Sequence, residues 1–212
     1  MKTIRVISLQ SSMVEEMVGL HMEAFPDFFL TFLGKQFLRE FYRSFVDNPE
    51  VCALAAFEEE TQQLIGGAVG PFMPDGFFKK LLKRSWFRFA LAGIPAVLRR
   101  PATGIRLIRA LRYRGDSPHG MEKYALLSSI AVSPAARKSG VGRTLLADWL
   151  KIVRAHGKEG AFLTTDAVGN ESVNRFYQNN GWKLLRAFST PEGRRMNYYV
   201  YQFENTESKE NK

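Results

Sequence analysis

One stretch restricts the fold of this chain more than any other. Ser129-Ile130-Ala131-Val132-Ser133-Pro134 is apolar and strand-forming, and Arg137-Lys138-Ser139-Gly140-Val141-Gly142-Arg143-Thr144-Leu145-Leu146 follows it with basic side chains, two glycines and the start of an amphipathic run. A strand thus passes into a helix through a short loop. The loop also gathers successive backbone N–H groups into a concavity, and the positive end of the helix dipole adds to them, which suits a phosphate. The glycines permit close approach of an anion to the backbone, and Arg137 can add a charge-assisted bond at the rim. No Gly-Lys-Ser/Thr closes the loop, so it is not a P-loop. It has two glycines where the dinucleotide fingerprint has three, and no acidic residue stands about 20 positions on. An ordinary strand-to-helix turn is the alternative reading of these residues.

The rest of the chain supplies the partners for that unit. Residues 3–9 alternate and predict an opening strand. Ser12 and Glu15 offer a capping box for a helix with Met13, Met17, Leu20 and Ala24 on one face, ended by Pro26. Phe37, Phe41, Tyr42 and Phe45 predict a second helix over about 34–46. Residues 51–58 and 63–72 read as a hairpin, with Gly66 and Gly67 marking a bulge or a close backbone approach. Tyr124 to Val132 reads as one strand covered on both faces. A helix from Val141 to His156, a strand from Ala161 to Asp166, a short helix over 171–179 and a closing hairpin, 182–188 with 195–203, complete the domain. Strand, helix, strand, helix in this order requires a parallel pair at the centre, flanked by antiparallel hairpins. The expected organisation is one domain over 1–203, with an insertion at about 74–120 and a polar, disordered tail over 204–212.

The net charge is +9, yet residues 77–115 alone contain eleven Lys or Arg and no Asp or Glu, so the remainder is slightly acidic and the basicity belongs to the insertion. On a helix, Phe77, Phe78, Leu81, Leu82, Trp86 and Phe89 fall on one side and Lys79, Lys80, Lys83, Arg84 and Arg88 on the other, with Phe87 the exception. Gly93 and Pro95 are expected to break it, with shorter helices over Ala96 to Arg99 and Gly104 to Arg114. Three readings of the insertion compete: a packed subdomain with a solvated basic face, a peripheral membrane contact through 77–114, and a lid whose arginines bind an anionic acceptor. No nucleic-acid module accompanies the charge, and no nucleic-acid partner is expected. The start is polar, without the hydrophobic region of a secretory signal, and the longest uncharged apolar run, Phe89 to Leu98, is far short of the ~20 residues of a membrane span. Cys52 is the only cysteine, which fits a reducing cytoplasm. No Cys/His cluster suggests a metal.

Strand, Arg-x-x-Gly-x-Gly and amphipathic helix resemble the acetyl-CoA-binding motif of the GNAT acyltransferase superfamily. Asn170-Glu171-Ser172-Val173-Asn174-Arg175-Phe176-Tyr177-Gln178-Asn179-Asn180-Gly181-Trp182 is similar to that family's later motif, and the two segments together cover roughly 124–203. The resemblance implies an α/β fold with a mixed, mainly antiparallel twisted sheet, a central parallel strand pair and helices on both faces; the basic helical insertion at about 74–120 matches nothing characteristic of the family. It implies that backbone amides of Arg137, Lys138, Ser139, Gly140, Val141 and Gly142 hold the pyrophosphate, with Arg143 and Thr144 nearby in the cofactor site. It further implies that the strand edge at Ile130, Ala131 and Val132 pairs with the pantetheine arm, and that Tyr177 stands near the sulfur. A phenol's ordinary pKa of about 10 is close enough to a thiol's ~8.5 to protonate or stabilise the leaving group. Asn170 resembles the family's pantetheine-binding asparagine, with helix capping as the equal alternative, and Asn174 lies on the same helical face. Where some members carry a Glu or His, this chain has Leu126-Leu127-Ser128-Ser129, so no general base is visible; Glu122 and Asp166 are the nearby carboxylates. The implied activity is transfer of an acetyl group from acetyl-CoA to a primary amine of a small molecule, by direct attack in a ternary complex. The aromatic segment His21 to Gly34 is loosely similar to members of bacterial polysaccharide synthesis, whose acceptors are amino sugars. A non-catalytic acyl-CoA-binding module is the alternative. Sequence says nothing of oligomeric state.

Overall fold

The computed structural model describes residues 3–46, 48–99, 119–191 and 193–204. Eight strands form two four-stranded sheets. In the first, β1 (Ile4–Ser8), β2 (Val51–Glu58), β3 (Leu64–Pro71) and β5 (Ser129–Val132) lie side by side, all antiparallel. In the second the order is β4 (Tyr124–Leu126), β6 (Gly160–Asp166), β8 (Arg195–Gln202) and β7 (Lys183–Ser189), with β4 and β6 parallel and the other pairs antiparallel. Six α-helices are described: α1 (Val14–Ala24), the single turn α2 (Phe29–Phe32), α3 (Lys35–Arg43), α4 (Phe77–Arg99), α5 (Val141–Ala155) and α6 (Glu171–Asn179), the last preceding β7.

Neighbouring glycines in β3 show how the layers stack. Successive strand residues point to opposite faces. A Cβ on Gly66 would lie 2.8 Å from Leu145 and 3.0 Å from Val141 of α5, whereas one on Gly67 would lie 2.5 Å from the Met17 sulfur of α1. So α1 and α5 press on opposite faces of the first sheet, each where a side chain is missing. The expectation of a close backbone approach at Gly66 and Gly67 is what the structure contains. Two cores result. One joins α1, α3 and the start of α4 through Met17, Leu38 and Phe45; the other gathers Leu145, Trp149, Leu163 and Trp182 beneath α5.

The expected strand from Tyr124 to Val132 is two strands in two sheets. The Leu127 N–H donates to Phe162 O at 2.9 Å, in the second sheet, and the next N–H, of Ser128, donates to Val69 O at 2.9 Å, in the first. The chain therefore changes sheets across one peptide, and its pairing with β6 ends there. The expected capping box is also absent: Ser11–Met13 forms a 3-10 turn, α1 starts at Val14, and no side chain caps it.

The basic segment departs from expectation as well. Helix α4 runs unbroken for 23 residues through Gly93 and Pro95. Proline removes one N–H donor but leaves the turns on either side intact. Helix α4 is anchored on α3 and the turn after it by Phe89, 5.2 Å from the Phe37 ring, and Phe77, 5.8 Å from the Phe45 ring. Burying each such ring contributes roughly 1.5–3 kcal/mol. Trp86, expected on the buried side, is 66% exposed. The proposed helix over Gly104 to Arg114 and the tail beyond Glu204 lie outside the described residues.

Candidate functional site

The loop ahead of α5 is shaped by its backbone. Pro134–Ala136 forms a 3-10 turn, Arg137 is extended, and Lys138 adopts a left-handed φ of +65°. Gly140, with φ +95°, is the N-terminal flanking residue of α5. A side chain is strained there, which explains the glycine. The first bond of the helix is Thr144 N–H to Gly140 O at 3.0 Å. The N–H groups of Val141, Gly142 and Arg143 consequently have no helical acceptor, and no acidic residue in the first turn offsets the dipole. The loop is fastened from behind: the Ser139 hydroxyl donates to Ala136 O at 2.7 Å, and Arg137 Nη2 donates to Ala24 O, 3.1 Å away at the end of α1.

A cleft of about 1820 Å³ lies between the two sheets. Its floor includes Ser129, Ile130 and Val132 of β5, a strand that has no neighbour on its outer edge among the described residues. Arg137, Lys138, Gly140, Gly142 and Arg143 line one end, and α6 contributes Asn170 and Tyr177. The other end is aromatic, with Phe25 and Phe28 from the loop after α1, Phe37 and Phe41 from α3, and Phe78 and Phe89 from α4. The volume exceeds the 300–1,000 Å³ or so of a typical single-ligand pocket, and two substrates fit side by side.

Tyr177 is nearly buried, edge-on to Phe176 and Trp182 at 5.3 and 5.8 Å, and burial holds its phenol well above the ordinary value. Asn170 stands at the N-terminal flank of α6, but its amide caps nothing. It donates to Thr165 Oγ1 at 2.8 Å instead. Asn174 faces inward: its Nδ2 donates to Asp166 O and Asn170 O at 3.0 and 2.8 Å, and its Oδ1 accepts from Asn197 at 2.9 Å. It ties α6 to β6 and β8 and is not part of the cleft wall. The side chains of Ala131 and Val141 are buried in the cores, and Ser139 and Thr144 flank the loop without lining the cleft. Asp166 lines the cleft, but Arg194 grips both its oxygens at 2.7 Å. Glu122 is exposed and outside the cleft, with backbone N–H bonds from its own residue and Gly120 lowering its pKa.

Four cleft residues carry no local signal in sequence. The Ser128 hydroxyl and the Tyr198 hydroxyl are buried without a partner among the described residues, Asp27 brings a carboxylate to the cleft, and Arg194 reaches Asp166 from 28 positions away. Beside the aromatic end lies a buried pair, His21 Nδ1 to Tyr42 Oη at 2.8 Å, with the His21 ring edge-on to Phe25 at 5.1 Å and its Nε2 without a partner among the described residues. Burial pushes His21 down to about 4.

A sequence model described as the acetyltransferase (GNAT) family matches residues 14–182. No curated protein is similar enough in sequence to count as a match. Among solved structures, an aminoglycoside 6'-acetyltransferase type Ii is 14% identical, with 95% of this chain and 98% of that one covered and a TM-score of 0.61. Arabidopsis thaliana NAA60, in complex with acetyl-CoA, is 17% identical, with 96% and 100% covered and a TM-score of 0.59. The PaiA N-acetyltransferase of Thermoplasma acidophilum, in complex with coenzyme A, is 15% identical, with 94% and 99% covered and a TM-score of 0.54. Against a nourseothricin acetyltransferase the chain spans only 66% of that protein's length. The likenesses to the aminoglycoside acetyltransferase, NAA60 and PaiA structures establish a shared fold.

Proposed function

The chain belongs to the acetyltransferase (GNAT) family, and from that premise we propose that it is an acetyl-CoA-dependent N-acetyltransferase acting on a primary amine of a small molecule in the cytoplasm. One observation carries the reading: Gly140, Gly142 and Arg143, at the start of α5 where the first N–H groups have no helical acceptor, line the same cleft as the edge of β5, which is unpaired among the described residues. The first suits a diphosphate and the second an amide-bearing arm. Gly140 and Gly142 leave the approach to the loop clear: a Cβ on Gly140 meets nothing within 4 Å, and one on Gly142 reaches only the Phe176 ring, 3.4 Å away, and Val132. Two of the structural neighbours carry acetyl-CoA or coenzyme A.

In this reading the amine enters from the aromatic end. Its nitrogen lone pair attacks the thioester carbon, a C–N bond forms, the C–S bond breaks, and the thiolate leaves as the nitrogen gives up a proton. A backbone N–H at the end of β5 polarises the carbonyl. Tyr177, fully protonated at neutral pH because burial raises its pKa, supplies an O–H hydrogen bond to the departing sulfur. Asn170 faces the arm, and Asn174 acts behind it as a positioning post. With Asp166 bound by Arg194, proton loss runs to water or to Asp27 in the cleft. The rings of Phe25, Phe28 and Phe37 are compatible with the C–H face of an amino sugar, which is the acceptor to try first.

Calorimetry with coenzyme A and thioester turnover against amino-sugar nucleotides, polyamines, amino acids and peptide N-termini test the proposal. Gly140→Val should weaken coenzyme A binding about tenfold or more, by straining the loop and crowding the anion. A wild-type protein that ignores coenzyme A ends the reading. Tight binding without turnover on any amine favours a non-catalytic acyl-CoA-binding module.

A further inference from the structure

Helix α4 has two working faces. Phe78, Leu81 and Phe89 look inward and line the cleft. On the outward arc Trp86 is 66% exposed, Phe87 48% and Leu91 64%, and Lys79, Lys80, Lys83 and Arg84 are exposed among them. With 100° between successive residues, these seven share one side, so rings and cations interleave instead of segregating. Exposed large apolar side chains so close together call for a partner.

We infer that the outward face of α4 docks on an anionic lipid bilayer. The helix has no acidic residue, and its cations suit phosphate head groups while Trp86, Phe87 and Leu91 reach the acyl boundary. Other occupants fit the chemistry less well. A second copy of the chain presents the same positive charge. Residues 100–118 hold five Arg and one Asp, so they repel this face too. A protein partner is disfavoured by the lysines, which are depleted at protein interfaces, and a nucleic acid offers no hydrocarbon for Leu91 and Phe87. No helix among the described residues is long and apolar enough to cross a membrane, so α4 lies on the surface. Docking places the aromatic end of the cleft next to the bilayer. That an amine displayed there is acetylated rests on the proposed acyl transfer; the docking does not.

The test is co-sedimentation of the full chain with phosphatidylcholine vesicles, alone or containing about one third phosphatidylglycerol. Binding is expected only to the anionic vesicles. The double variant Lys80→Gln, Lys83→Gln should lower partitioning about 25-fold, from about fivefold per cation removed. Trp149 and Trp182 are buried, so a blue shift of tryptophan emission on binding reports on Trp86. Trp86→Ser should bind more weakly and lose the shift, with unchanged thermal melting because its site is exposed. Absence of binding to anionic vesicles, equal binding by the double variant, or preference for single-stranded RNA over vesicles would overturn the inference. Vesicle binding needs no thioester, so a protein that docks without turnover refutes the enzyme and spares the surface, and the reverse result does the opposite.

Discussion

Acidification should destabilise this fold through one imidazole. His21 is fully buried, its Nδ1 is taken by Tyr42 at 2.8 Å, and burial lowers its pKa from 6.5 to about 4. Above the unfolded value neither state carries the proton, and His21 contributes nothing to pH dependence. Between 6.5 and about 4 the unfolded chain takes up a proton that the folded chain refuses, so stability falls as pH falls. At 1.36 kcal/mol per pKa unit, the loss reaches about 3 kcal/mol near pH 4, a large part of a stability of roughly 5–15 kcal/mol. Urea unfolding of the wild type and of His21→Gln, at about pH 7, 5.5 and 4, isolates the effect, since other titrating groups are common to both. The wild type should be the more stable at neutral pH, and its advantage should shrink by about 3 kcal/mol on acidification. An advantage that stays constant across the series would show that His21 is not held neutral by burial, and the reasoning would fail.

Two further outcomes follow from the geometry. Gly70→Ala drives a Cβ to 1.9 Å from the Leu126 carbonyl oxygen, a backbone atom that cannot step aside, whereas exposed Gly19 inside α1 has nothing within 4 Å. Thermal melting should therefore separate the two alanine variants, with the first destabilised by about 2–4 kcal/mol and the second stabilised by about 0.5–1 kcal/mol; equal melting temperatures contradict the packing described. Tyr177→Phe should lower kcat roughly tenfold to a hundredfold with little change in coenzyme A affinity, measured by steady-state kinetics and calorimetry, and an unaltered kcat removes the phenol from the chemistry.

Much of this architecture is written locally. The Arg137 to Gly142 loop, the helix behind it and the stop at Gly181 follow from short-range rules: a left-handed backbone needs glycine, and an apolar stripe needs a sheet. Gly66 and Gly67 were equally readable, because two missing side chains in an apolar strand call for something pressing close. The division at Leu127 and Ser128 was not. Nothing in an unbroken apolar run reveals that adjacent N–H groups select Phe162 and Val69, far apart in sequence. Trp86 misleads for a related reason: helical periodicity gives a face, but only the packing of Phe77 and Phe89 on α3 and the turn after it decides where that face ends. The ties of Asn174 and Arg194 likewise join residues that lie close only once β6, α6 and β8 are assembled.

The eight strands stop one short of a continuous surface. Where pairing with β6 gives out at β5, a guest bearing amides of its own can act as the missing rung and stitch the halves together. Loading and cohesion then rise as one quantity, by RT ln(1 + [L]/Kd), and the melting temperature becomes a gauge of occupancy in any screen for what this molecule carries.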